Sequence, residues 1–181
     1  NLLQKWLDVE AALARAEAMA GVIPKSAADE ICRRASADLL DIESIKRGID
    51  ETSHPILPFV KAFQSLCEGD AGEYIHWGAT TQDIMDTAVV VQLRAAFVLL
   101  ESDLEEILAS LETLARRFRD TPMAGRTHLQ QALPVTFGYK AAVWRSPLAR
   151  QRERLAQLRP RVLVGQFGGA AGTLASLGEK G

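Results

Sequence analysis

LRAAFVLLESDLEEILASLETLARRF, Leu93 to Phe118, decides the fold class. Its apolar residues fall at Leu93, Phe97, Leu100, Leu104, Ile107, Leu111, Leu114 and Phe118, in alternating steps of four and three with charges between them. That spacing draws one apolar stripe along an α-helix, the heptad pattern of a helix packed lengthwise against other helices. Taken from Asp86 to Arg119, such a helix would be about 50 Å long at 1.5 Å per residue. A compact globule of 181 residues has a radius of gyration of about 16 Å, hence a diameter of about 40 Å. The helix overshoots a self-contained domain, so a long bundle completed by other subunits is expected.

Outward from this helix the chain reads as all-α. Leu2 to Ala20 carries apolar residues at helical spacing (Leu3, Trp6, Leu7, Leu13, Ala14, Met19) and is stopped by Gly21 and Pro24. Helices are predicted over Ala27 to Leu40, Ile42 to Ile49 and Pro55 to Cys67, and a second long helix follows Pro134, kinked or broken at Pro147. No stretch of alternating apolar residues bounded by turns appears, so strands are not needed. An N-terminal helical domain over 1–83 and the start of a central bundle over 84–181 are expected. Asn1 lies against the first helix, so the natural protein is expected to extend upstream.

Composition narrows the function classes. A formal charge of −2, with basic residues scattered among acidic ones, gives no reason to invoke nucleic acid or an acidic membrane surface. A hydrophobic content of 48% supports a real core, and no run of eighteen apolar residues exists to span a bilayer. Cys32 and Cys67 are isolated, without metal-ligand or disulfide spacing, which fits a reduced, cytoplasmic setting. No ligand cluster suggests a metal, and no cofactor is expected.

Polar residues gather where packing does not require them. Thr80-Thr81-Gln82-Asp83 precedes the long helix and fits a capping pattern. The same two hydroxyls, an amide and the first free backbone N–H groups would also make a carboxylate site, since a helix N-terminus carries partial positive charge. Gly125-Arg126-Thr127-His128 sets a cation, a hydroxyl and an imidazole in succession, and histidine is the side chain best poised to exchange a proton near neutral pH. All three histidines, His54, His76 and His128, fall in or beside such segments. The glycines of Gln166 to Thr173 match neither phosphate-binding loop pattern and read as a helix break where backbones pack tightly.

Three ordered segments, HWGATTQD (His76 to Asp83), MAGRTHLQQALPVTFG (Met123 to Gly138) and QFGGAAGTLASLG (Gln166 to Gly178), resemble the fumarase/aspartase superfamily of lyases. The likeness is to its 3-carboxy-cis,cis-muconate cycloisomerase and adenylosuccinate lyase branches. It implies a homotetramer with active sites shared between subunits, acting on a small fumarate-like carboxylate. It implies that Thr80 and Thr81 hold a carboxylate, with Gln82 adjacent, and that His128 is the general acid. His54 would assist it or contact substrate, His76 would meet the variable part of the substrate, and Arg126, Thr127 and Gln166 would line the site. The reaction implied is proton removal beside a carboxylate, then loss of a C–N or C–O bond, or the reverse addition.

Two departures bear on that resemblance. The family's serine-bearing SSxMPxKxN-like loop is not in this sequence and is expected beyond Gly181. His128 points to a C–N lyase, whereas QFGGAAGTLASLG points to the cycloisomerase branch, which comes first. A non-catalytic helical scaffold is the alternative from another class, since the heptad stripe alone would allow it.

Overall fold

The computed structural model describes residues 1–181. Six α-helices and one β-hairpin form two compact units, residues 1–92 with 164–181 and residues 93–163. No helix is long and apolar enough to cross a membrane.

In the first unit, α1 (Leu2–Met19) is capped by Asn1, whose side chain accepts from the Leu3 N–H at 3.0 Å. It ends in a paired turn, Val22 N–H to Glu17 O and Gly21 N–H to Ala18 O, which closes the last free carbonyls. α2 (Lys25–Arg34) stops short of the predicted Leu40 and gives way to a single 3₁₀ turn, Ala37–Leu39. The reason is tertiary: Gln4 on α1 donates to Ala35 O and accepts from Ala37 N–H, replacing the helical bonds at the break. α3 (Ile42–Thr52) starts at an Asp41 cap, and α4 (Ile56–Leu66) follows. Trp6, Leu7, Ile31, Ile56, Phe59, Phe63, Ile84 and Ala88 form the core, with the Trp6 and Phe59 rings edge to face at 5.4 Å.

α5 (Thr81–Arg117) is a single 37-residue helix that gives its first turns to one unit and the remainder to the other. In the second unit it is followed by β1 (Pro122–Thr127), β2 (Gln130–Thr136) and α6 (Phe137–Val162). The antiparallel hairpin corrects the expectation that no strand is needed. β2 is exposed over its first five residues and β1 is half-buried over three consecutive ones, Met123 to Gly125, so no alternation of buried and exposed residues marks them in the sequence. Val135 therefore belongs to a strand, not to the second long helix. α6 continues through Pro147 rather than breaking there. Arg145 pairs with Glu112 at 3.0 Å and Arg152 with Glu105 at 3.5 Å, which anchors α6 to α5 on both sides of the proline. At Gly138 the backbones come close enough that a Cβ would lie 2.5 Å from Ala115 O.

The heptad stripe divides along α5. Phe97 and Leu104 are buried and Leu111, Leu114 and Phe118 half-buried, whereas Leu93, Leu100 and Ile107 are exposed, so one chain leaves part of it uncovered.

Candidate active site

The start of α5 is closed by Asp83 rather than by the Thr80 hydroxyl. The Asp83 carboxylate accepts from the Thr80 N–H at 3.0 Å, while its own N–H donates to Thr80 O. Asp83 is buried and takes two more donors, the N–H groups of Gly168 at 3.0 Å and Gly169 at 2.9 Å. One turn further on, Thr87 Oγ1 accepts from the Gln166 N–H at 2.9 Å and donates to Gln166 O at 3.1 Å. The glycine-rich segment is thus laced through its backbone to the first two turns of α5.

Thr81 meets His54 across 27 residues of sequence, with Oγ1 and Nε2 3.1 Å apart. The tautomer follows from the other ring nitrogen. His54 Nδ1 lies 3.2 Å from the Leu57 N–H, which can only donate, so Nδ1 is the acceptor and caps the first turn of α4. A neutral imidazole then carries its proton on Nε2 and donates it to Thr81. This leaves the Thr81 hydroxyl proton free to be given to an anion at the helix N-terminus, the end toward which first-turn N–H groups point.

His76 sits in a tight turn, with the Ala79 N–H bonded to His76 O, and has a left-handed backbone, φ +66°. Both of its donors go to the Glu10 carboxylate: the N–H at 3.1 Å and Nδ1 at 2.7 Å. Glu17, two turns along α1, is also buried, and neither carboxyl oxygen has a partner. Burial first, and the charge of Glu10 second, push its carboxyl up to about 7. Gln82 is exposed and donates to Asp86 Oδ1 at 2.5 Å along its own helix, so it would have to leave that bond to reach a ligand.

Arg126, Thr127 and His128 lie in the second unit, exposed at the tip of the hairpin. Thr127 pairs with Gln130, so His128 and Leu129 alone make the turn, with φ +40° and +63°. Two-residue hairpin turns of this twist need positive φ at both positions, which side chains other than Gly, Asn and Asp resist. Backbone strain of this kind gathers at functional positions. Just before it, Gly125 interrupts the strand register, and a Cβ there would stand 2.5 Å from Leu133 O.

Residues 1–180 match the family model described as Lyase. The chain belongs to the fumarase/aspartase lyase superfamily. It is 49% identical over its whole length to the N-acetyl-S-(2-succino)cysteine lyase of Dickeya dadantii and 48% identical to the adenylosuccinate lyase of Methanothermobacter thermautotrophicus. It covers 40% of the length of each. The 3-carboxy-cis,cis-muconate lactonizing enzyme of Pseudomonas putida superposes with a TM-score of 0.95 at 47% identity, over 98% of this chain and 41% of that one. The helical bundle expected from the heptad stripe is the fold these relatives share.

Sequence reasoning singled out Thr81 and His54 separately, and the structure brings them together. It passed over Glu10, Glu17 and Thr87, and saw in Asp83 only a cap. The signal for the two glutamates was present: Trp6, Leu7, Glu10, Ala11, Ala14 and Glu17 share the buried face of α1, so charged residues stand in an apolar stripe.

Proposed function

We propose that the whole protein is a lyase that eliminates a heteroatom group from a substituted succinate-type dicarboxylate to leave a fumarate-like product, or adds one in reverse. The observation that carries this reading is the Thr81–His54 pair at the N-terminus of α5. Thr80 and Thr81 hold a substrate carboxylate there. A base supplied outside this chain removes the proton from the neighbouring carbon, and the C–H electron pair moves into that carboxylate as the aci form. Donors aimed at the carboxylate stabilise this extra charge more than the ground state. The pair then returns to form the double bond, expelling the heteroatom, which takes its proton from His128. Arg126, Thr127, His76, Gln82 and Gln166 line the substrate, with no cofactor involved. The protein works as a cytoplasmic homotetramer whose subunits share each site.

A muconate-type cycloisomerisation, in which a carboxylate oxygen adds across the double bond, is the leading substrate reading, supported by the likeness of fold and of the glycine-rich segment. Elimination from a succinyl-amine or succinyl-thioether is the second, favoured by the exposed imidazole at position 128. The test follows ultraviolet absorbance of the full-length protein with 3-carboxymuconate, adenylosuccinate, argininosuccinate and N-acetyl-S-(2-succino)cysteine. One of them is turned over, and Thr81→Ala lowers kcat by about a hundredfold or more, the usual cost of an oxyanion donor. Unimpaired turnover in Thr81→Ala would remove the proposed carboxylate site. His128→Ala separates the two substrate readings, since only the elimination needs a proton donor for its leaving group.

A further inference from the structure

We infer that Glu10 is a positioning residue that acts through His76, holding the ring in one tautomer with Nε2 as its only free atom. The inference rests on the proposed contact of His76 with substrate and adds what makes that contact specific. Glu10 is 1% exposed and stands 66 residues away in sequence, so its carboxylate is brought to His76 by the fold. Its two oxygens take different donors of the same residue, Oε2 from the backbone N–H and Oε1 from Nδ1. The first bond fixes the left-handed backbone of the turn, and the second fixes the ring. A carboxylate is acceptor-only, so Nδ1 carries a proton and Nε2 is left to face a ligand. An aspartate fixes the catalytic imidazole of serine hydrolases in the same way.

Glu17 supports the division of labour. Burial and the nearby Glu10 charge raise its carboxyl to about 7, so it keeps its proton to higher pH than an ordinary glutamate, and neither of its oxygens bonds to His76. An isosteric amide cannot replace Glu10. Glutamine has one acceptor oxygen, and its NH₂ would confront either the His76 N–H or Nδ1–H.

The experiment is magic-angle-spinning NMR of sedimented full-length protein with ¹⁵N-ring-labelled histidine, His76 being assigned by the signals lost in His76→Asn. Wild type shows Nδ1 protonated in every molecule, and Glu10→Gln shows a mixture or the opposite tautomer. A wild-type ring protonated on Nε2 alone overturns the inference, whether or not the variant folds. Kinetics then test the link to the reaction. Glu10→Gln and His76→Asn each lower kcat/KM by about tenfold or more, and the double variant is no worse than His76→Asn. Additive losses would mean that Glu10 acts on something other than His76. A His76→Asn variant with full turnover would remove the substrate contact and with it the positioning role, while the spectra would still report whether the clamp exists.

Discussion

A buried carboxyl without a partner makes a stability argument that belongs to one residue. Glu17 ionises at about 7 in the folded chain against an ordinary 4.5, chiefly because burial disfavours its charge. Between those two pH values the folded state keeps a proton that the unfolded state has released. Stability from this group is therefore full below about pH 4.5, declines as pH rises and is lost above about pH 7, an effect on the order of 1–3 kcal/mol. Glu17→Gln keeps the shape and removes the titration. Thermal unfolding should find the variant level with wild type near pH 4 and more stable than it at pH 8. Parallel curves across that range would mean that Glu17 is solvated in the folded protein.

At the scale of elements, two devices hold the segments of the candidate site in place, and each can be broken locally. Asp83 gathers three N–H groups, from Thr80, Gly168 and Gly169, onto one buried carboxylate. Asp83→Asn has a single acceptor oxygen, so at least one half-buried donor loses its partner at a cost of about 1 kcal/mol. Hydrogen exchange at Gly168 and Gly169 should accelerate while amides around Phe59 and Phe63 keep their protection. The hairpin depends on Gly125, where an added Cβ would press on the Leu133 carbonyl. Gly125→Ala should part the strands beneath His128 and lower turnover. Far-UV circular dichroism should stay that of a helical protein, since no helix depends on that contact.

These same elements mark how far the sequence could be read. α1, α4 and α5 were legible because a helix buried on one side writes a 3.6-residue period into its apolar positions. The hairpin was not, because strands without alternating burial write no period and because His128-Leu129 lacks the residues that usually signal such a turn. The end of α2 was set by Gln4 on another helix, which no local pattern contains. Within the site, Thr81 and His54 could each be suspected from their own segments, but the bond between them is a product of packing. Glu10 was visible only as a charge on an apolar face, a pattern that says a partner is needed without saying which.

For the whole molecule the deciding fact is that α5 carries more apolar surface than one chain covers. Phe97 and Leu104 are buried, while Leu100 is 54% and Ile107 46% exposed on the same heptad stripe. Exposed apolar positions at heptad spacing fit other long helices, which is the physical basis of the proposed tetramer. If that assembly also builds the site, Thr81 and His128 of one active centre come from different subunits. Two inactive proteins then repair each other: a Thr81→Ala chain still offers His128, and a His128→Ala chain still offers Thr81. Full-length variants unfolded together and refolded as mixed tetramers should recover up to about a quarter of wild-type turnover, the chance that a randomly assembled site receives both intact residues. The assay needs a substrate for which both single variants are inactive. Each variant refolded alone should stay inactive, which separates exchange of subunits from reversion. Leu100→Lys with Ile107→Lys should lower the mass seen by light scattering and abolish the recovery. Mixed tetramers as inactive as their parents would place both residues of a site on one chain and leave the exposed stripe with a purely structural task.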